Sequence, residues 1–277
     1  MGRQTTDRLM HAIAYVLLAL GSIMMLLPFY WMVITSIKIP SEVVTFPPTW
    51  VPSVVTFDHY VRVFRDLAVG ILYRNSAVVA ITKTLLMVFT SALTGYVFAK
   101  FSFKGRDLIF SAIIATMIIP LQVYMIPLYL MMVDFQWHNT YTGLIMPYVF
   151  SAYAMFLVRQ FMHNIPSELI EAARIDGAGE LRIFLRIVMP LSQAVLATLV
   201  IFYFMWNWND FLWPLVVLNS PNKYTLPIGL TVFNSEYGTD YGATMAAASI
   251  AVIPVMIVFF VFQRHIVEGV ALTGLKG

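Results

Sequence analysis

Residues 168–190 read ELIEAARIDGAGELRIFLRIVMP, a charged segment between long apolar stretches. Ser167 is a favourable helix N-cap, and Glu168 lies at the positive end of the helix dipole, so a short helix is predicted to begin here. The DGAG sequence at 176–179 predicts a tight turn, because Gly177 can adopt a left-handed backbone conformation at low cost. The segment therefore predicts two short helices joined by a turn.

The second of these helices is predicted to have one apolar face. Four side chains follow the i, i+3, i+4, i+7 spacing of such a face, namely Leu181, Phe184, Leu185 and Val188. The arginines at 182 and 186 fall on another face. Two interpretations stay open from the residues alone, a docking element for a partner or an ordinary re-entrant loop on the membrane surface.

The amino-acid composition indicates the type of protein to which this segment belongs. Of the 277 residues, 60% are hydrophobic and 11% are charged, which leaves too little polar surface to cover a water-soluble globule of this size. The chain has no cysteine, so disulfides and thiol chemistry are excluded. We therefore expect a polytopic membrane protein.

Six windows are apolar and long enough to cross a bilayer, which requires about 20 helical residues. They cover residues 11–35, 75–99, 108–133, 143–161, 194–218 and 243–262. The first is too long for a cleaved signal peptide and is interpreted as a membrane anchor. The prediction is an all-α fold of six transmembrane helices in a single domain over residues 1–277.

The lysines and arginines predict the orientation, because they concentrate on the cytoplasmic side of membrane proteins. With the N-terminus inside, eleven of them lie on the inner side and five on the outer side, and Lys83 lies within a window. The inner set includes Arg3, Arg264 and Lys276. Both termini and the segment 168–190 are thus expected in the cytoplasm.

The outer segment 36–74 contains several prolines and one short amphipathic stretch near residues 61–67. This stretch predicts a short interfacial helix. It is interpreted as a surface-lying connector or as a contact for an external partner.

A resemblance resolves the open interpretation of segment 168–190. The string EAARIDGA at 171–178, followed by Phe184 and Pro190, resembles the EAA loop of ABC importer permeases. The sequences PFYWMVITSIK at 28–38, NWNDFLWPL at 207–215 and QRHIVEGVALTGLKG at 263–277 are similar to those of the smaller permease of carbohydrate importers, a group that includes the maltose, glycerol-3-phosphate and trehalose systems. Ala194 departs from a second proline that is common in this family.

The resemblance implies a type I permease fold in which the loop couples the membrane helices to an ATPase. The matching positions are Glu171, Ala172, Ala173, Asp176, Gly177, Ala178, Phe184 and Pro190. The implied partners are a homologous larger permease, two ATP-binding-cassette ATPases, an external substrate-binding protein and membrane lipid, without nucleic acid. The implied location is a bacterial or archaeal inner membrane.

The chain has no motif of its own for nucleotide binding. A P-loop requires G-x-x-x-x-G-K-[ST], and the sequence contains no such string, so no cofactor is expected here and ATP with Mg is assigned to the partner ATPase. The five histidines have no metal-ligand spacing, and no nucleophile motif indicates an enzyme. The remaining alternative is an ion-coupled secondary transporter, which normally requires a coupling residue near mid-membrane.

Two charged residues, Lys83 and Asp210, fall inside the windows and away from their ends, where a charge facing lipid costs at least about 2.5 kcal/mol. Lys83 is expected to snorkel outward, to form a structural pair or to line a cavity. Asp210 belongs to a cluster suited to stacking on a sugar ring and binding its hydroxyls, namely Trp206, Asn207, Trp208, Asn209 and Asp210. The same cluster is also interpretable as an interfacial aromatic belt with interhelical hydrogen bonds.

Overall fold

The computed structural model describes the backbone of residues 2–235 and 238–274, and the side chains of residues 8–233 and 238–263. Several side chains that entered the sequence predictions lie outside the described residues: Arg3, Arg264, His265 and Lys276. The final part of the C-terminal resemblance, beyond residue 274, also lies outside them.

The described backbone is mostly helical, which confirms the predicted all-α class. Its α-helices are α1 (Gly2–Ser36), α2 (Pro40–Val43), α3 (Asp58–Asp66), α4 (Val69–Lys100), α5 (Arg106–Ala115), α6 (Leu121–Asp134), α7 (Tyr141–Ile145), α8 (Ala152–His163), α9 (Ser167–Ile175), α10 (Glu180–Ile183), α11 (Met189–Leu191), α12 (Gln193–Trp208), α13 (Leu212–Val217), α14 (Leu226–Leu230) and α15 (Tyr241–Gly274). Short 3-10 turns cover Thr116–Ile118, Met146–Tyr148, Pro221–Lys223 and Thr231–Phe233. One antiparallel hairpin joins β1 (Asn234–Ser235) to β2 (Gly238–Thr239).

Three helices are individually long and apolar enough to cross a membrane, over Arg8–Ser36, Val69–Lys100 and Tyr241–Gln263. Three further candidates are bent pairs of helices: Arg106–Ile118 with Leu121–Asp134 at 101°, Tyr141–Tyr148 with Ala152–His163 at 43°, and Glu180–Leu191 with Gln193–Trp208 at 80°. Counting each bent pair as one span gives six candidate spans in the described part of the chain.

Three of the predicted windows are not continuous helices, and one of them, 143–161, is divided between Tyr148 and Ala152. The window 108–133 is interrupted at Pro120, whose extended backbone (φ −68°, ψ 146°) precedes α6, as expected for a residue that cannot donate to the helix ladder. The window 194–218 is also divided, because α12 ends at Trp208 and α13 begins at Leu212. Asp210 therefore lies in the connector between two helices instead of inside a span.

The chain divides into two compact units, the first of which contains Met1–Val69 and Leu230–Ile253. Here α3 is the predicted short helix of the outer segment, with Val63 buried and Phe64 exposed. Arg62 on α3 forms ion pairs with Asp66, at 3.3 Å, and with Asp240. The pair with Asp240 ties α3 to the chain that follows the hairpin.

The second unit contains Gly70–Gly229 and Pro254–Gly277, and two buried apolar clusters among its described residues position the candidate sites. One cluster joins α4, α8, α12 and the segment 165–188, and it includes Tyr96, Val158 and Phe184. The other joins α4, α6, α7 and α13 around Trp213, whose indole nitrogen donates to the Gly143 carbonyl at 3.1 Å.

Candidate functional site

The segment 168–190 forms the predicted pair of short helices, α9 and α10, joined by a turn. Gly177 has φ +81°, the left-handed conformation that the turn requires, whereas Gly179 has an ordinary φ of −70°. The predicted N-cap was wrong. Ser167 is the first residue of α9 and makes no capping hydrogen bond, and Pro166 occupies the cap position.

The inner face of this loop is buried, but in a different register from the predicted one. The buried residues are Ile183, Phe184 and Val188, whereas Leu181 is 63% exposed and Leu185 is 46% exposed. A turn of π-helix covers Phe184–Val188, directly after α10. The predicted face Leu181, Phe184, Leu185 and Val188 is therefore wrong for its two leucines.

A polar chain links the loop to α4. Glu180 accepts a hydrogen bond from Arg174 Nε at 2.6 Å and another from the Tyr96 hydroxyl at 3.1 Å. The hydrogen bond from Arg174 holds the pKa of the Glu180 carboxyl below its ordinary value. The Arg174 guanidinium also lies over the Phe101 ring, 5.7 Å from its centroid. Both loop helices are thereby connected to the end of a membrane span.

The outer face of the loop is exposed and partly apolar. Ile175 is 87% exposed, and Leu169 and Leu181 are exposed on the same segment. Of the eight residues matched to the EAA pattern, Glu171, Ala172, Asp176, Gly177 and Pro190 are exposed, Ala173 and Ala178 are half-buried, and Phe184 is buried. Phe184 packs against the Tyr96 ring with centroids 5.5 Å apart, so its contacts are inside the chain.

A second site is a cavity of about 250 Å³ between α4, α6, α12 and the segments that precede α8 and α13. Lys83 Nζ donates to Asp210 Oδ2 at 3.0 Å inside it, and the same ammonium group lies 4.1 Å from the centroid of the Tyr148 ring. Asn207 Nδ2 donates to Thr84 Oγ1 at 3.0 Å. Of the three positions expected for the Lys83 side chain, the structure shows two together, since the side chain is paired with Asp210 and lies at the cavity wall.

The five clustered residues of the fifth window do not share one environment. Trp206, Asn207 and Asp210 line the cavity. Trp208 is buried against Phe204 at a centroid distance of 5.7 Å and lines a different, apolar pocket. Asn209 is exposed and donates to the Met205 carbonyl at 2.8 Å, so it closes the end of α12 instead of facing the cavity.

Sequence reasoning missed the aromatic residues on the other side of the cavity, Tyr124, Tyr148 and Tyr203. They come from α6, the turn before α8, and α12, and no local motif connects these three positions. Within the side chains that the structure describes, no group of three or more His, Asp or Glu residues is arranged to hold a metal ion. The cavity therefore offers hydrogen bonds, aromatic faces and one compensated charge pair.

Comparisons with known proteins agree on one family. The family model described as "Binding-protein-dependent transport system inner membrane component" matches residues 88–271. The chain is 36% identical to the arabinooligosaccharides transport system permease protein AraQ of Bacillus subtilis, covering 92% of both chains. It is 34% identical to the diacetylchitobiose uptake system permease protein NgcG of Streptomyces coelicolor, covering 96% of this chain and 89% of the relative.

The sn-glycerol-3-phosphate transport system permease protein UgpE of Brucella abortus is 33% identical, with coverage of 94% of this chain and 96% of the relative. Among solved structures, a chain of a bacterial ABC transporter involved in the import of the acidic polysaccharide alginate superposes with a TM-score of 0.83 at 25% identity. That match covers 94% of this chain and 98% of the other.

Proposed function

Because the chain belongs to the family of binding-protein-dependent transport system inner membrane components, we propose that it imports a carbohydrate or related polyol as one of two permeases in an ATP-driven complex. A homologous larger permease completes the translocation path in this proposal. Two ATP-binding-cassette ATPases bind on the cytoplasmic side and use ATP with Mg, and an external protein delivers the substrate. The chain itself catalyses no reaction, and the ion-coupled alternative has no support from the family or its relatives.

The observation that carries the proposal is the loop 168–190. Its inner face is fixed by Ile183, Phe184 and Val188, while its outer face presents exposed Ile175 and Leu181 beside charged residues. An apolar surface rimmed by charges is typical of a protein interface. Because Glu180 connects this surface to Tyr96 on α4, movement of a docked ATPase can be transmitted to a membrane span. Closure of the ATPases then shifts the path between inward-facing and outward-facing states.

The composition of the complex tests the proposal. The tagged chain, extracted in mild detergent from its native membrane, is expected to copurify with a second permease and an ATPase, both identified by mass spectrometry. Recovery of the chain alone, or as a homodimer without an ATPase, would contradict the proposed function.

The glycine turn provides a sharper test of the loop. Gly177→Ala introduces a side chain at φ +81°, which costs roughly 1–2 kcal/mol, and distorts the docking surface. We expect several-fold lower ATP-driven uptake with normal membrane insertion. Gly179→Ala is the matched control, since it adds the same methyl group two residues away at φ −70° with no atom within 4 Å. Equal uptake by the two variants would argue against a coupling function for the turn.

A further inference from the structure

Two buried polar atoms in the cavity wall lack hydrogen-bond partners among the described residues. They are the Tyr148 hydroxyl and Asn207 Oδ1. Buried polar atoms are almost always paired, and leaving one unpaired costs about 1–3 kcal/mol. Tyr148 and Asn207 come from different elements and line the same cavity. A ligand hydroxyl brought within hydrogen-bond distance of either atom would satisfy it.

The walls between these polar atoms are aromatic. Tyr124, Tyr203 and Trp206 line the same cavity as Tyr148. A sugar ring presents apolar C–H faces and a rim of hydroxyls, so aromatic walls with separate hydrogen-bonding atoms complement both parts of it. The cavity within this chain has a volume of about 250 Å³, below the ~300–1,000 Å³ of pockets for drug-sized ligands, so the part of a ligand that this chain surrounds is about one ring.

The charges in the cavity wall determine which net charge of a ligand the cavity accepts. Lys83 and Asp210 are 3.0 Å apart, so their charges compensate each other and the ammonium group is already engaged. The Lys83 side chain is 4% exposed and that of Asp210 is 17% exposed, which leaves the carboxylate nearer to the open space. An incoming phosphate or carboxylate would be desolvated without a free cation to receive it.

We propose that this cavity binds one ring of an electrically neutral sugar, with the Tyr148 hydroxyl and Asn207 Oδ1 as hydrogen-bonding atoms and the Lys83–Asp210 pair as the element that rejects anionic ligands. The inference rests on the proposed import function and assigns a substrate contact to this subunit. It separates the chain from relatives whose names specify an anionic cargo, such as sn-glycerol 3-phosphate.

The ligand class is tested with the complete transporter in ATP-loaded proteoliposomes, with its binding protein outside. One mixture contains neutral oligosaccharides from arabinan and chitin hydrolysates, and the other contains oligoalginate and glycerol 3-phosphate. Mass spectrometry of the vesicle contents is expected to identify neutral sugars only. ATP-dependent accumulation of an anion would overturn the inference and leave the proposed function standing. No accumulation from either mixture would overturn the proposed function.

The binding atoms are tested by direct binding of the accumulated sugar to the purified permease–ATPase complex. Tyr148→Phe removes only the unpaired hydroxyl and is expected to raise the Kd roughly 3–10-fold without lowering the thermal midpoint. Tyr129→Phe is the control, because this ring packs in the Trp213 cluster but does not line the cavity. An unchanged Kd in Tyr148→Phe would overturn the assignment, since a purely structural tyrosine gives that result.

The charge pair is tested with glycerol 3-phosphate as the probe. Asp210→Asn leaves Lys83 uncompensated and is expected to increase binding of this anion at least about tenfold relative to the unaltered complex. Thr94→Val is the control, because its hydroxyl donates only to carbonyls of its own helix. Continued rejection of the anion by a folded Asp210→Asn complex would overturn the assigned role of the pair.

Discussion

At the scale of single residues, the Lys83 ammonium group and the Asp210 carboxylate compensate each other's charge. A buried charge without a partner is unfavourable, and each of these would lie uncompensated without the other. Their pairing across 127 positions of sequence removes that cost and joins α4 to the connector after α12. The Tyr148 ring beneath the ammonium group adds a cation–π contact.

We predict that Lys83→Met destabilises the assembled complex strongly, by about 3–5 kcal/mol, because it leaves the Asp210 carboxylate buried without a partner. The double variant Lys83→Met/Asp210→Asn is expected to recover most of this loss, since neither charge remains. Thermal unfolding midpoints of the three purified complexes provide the measurement. A double variant as unstable as Lys83→Met would show that the uncompensated charge is not the cause.

The sequence predicted some residues of the sites and could not predict others, for a physical reason. The turn at Gly177 is encoded locally, because a left-handed position favours glycine, and its φ of +81° agrees with the prediction. The partner of Lys83 depends on tertiary packing, and so does the meeting of Tyr148 and Asn207 in the lining of one cavity. No spacing within one helix encodes either arrangement.

At the scale of elements, the loop 168–190 combines a rigid inner face with an exposed outer face. Its two helices and the turn between them were predicted from the sequence, although Pro166 and not Ser167 occupies the cap position, whereas the π-turn at Phe184–Val188 was not predicted. Periodicity predicts which side chains share a face, but packing decides which part of that face is buried, and here Leu181 and Leu185 are exposed. The prediction of membrane spans has a similar limit, because hydropathy does not distinguish a straight span from one broken at Pro120.

We predict that Glu180→Gln weakens coupling, because it removes the charge that holds both Arg174 and Tyr96. Docking of the ATPase is expected to persist, while the ratio of sugar imported to ATP hydrolysed falls several-fold. Arg174 and Glu180 are more than one-third exposed, so each bond contributes modestly and stability should change little. Glu168→Gln on the same loop is the control. An unchanged ratio would mean that movement is transmitted through the apolar contacts alone.

The pH dependence follows from the same contact. The pKa of Glu180 is lowered in the folded chain. The stabilisation that its ionised carboxylate gives the loop is therefore present above the ordinary glutamate pKa and is lost as the pH falls through the lowered value. Transport per ATP is therefore expected to be flat between about pH 6 and 8 with respect to this group. A wild-type ratio that rises across this interval, but is flat in Glu180→Gln, would contradict that assignment.

At the scale of the whole molecule, the chain exposes far more apolar surface than a soluble protein. In the most apolar 18-residue stretch of the span Arg8–Ser36, 0% of the residues are buried inside the chain. In the corresponding stretch of the span Tyr241–Gln263, 11% are buried. Such surfaces require lipid or partner subunits to cover them. The long span Val69–Lys100, with 44% buried, is instead the helix that carries Lys83 and Tyr96, and so both candidate sites.

The orientation of this molecule in the membrane is the last prediction. The excess of lysine and arginine on one side places the loop 168–190 in the cytoplasm and the connector after α13 outside. Because the chain lacks cysteine, single cysteines at Gly179 and Asn222, both exposed, are unique reporters on this subunit. In intact cells an impermeant maleimide should label Asn222→Cys alone, and in inside-out vesicles Gly179→Cys alone. Labelling of both from outside would contradict the coupling mechanism, since a cytoplasmic ATPase could then not reach the loop. Labelling of both from inside would contradict the six-span topology.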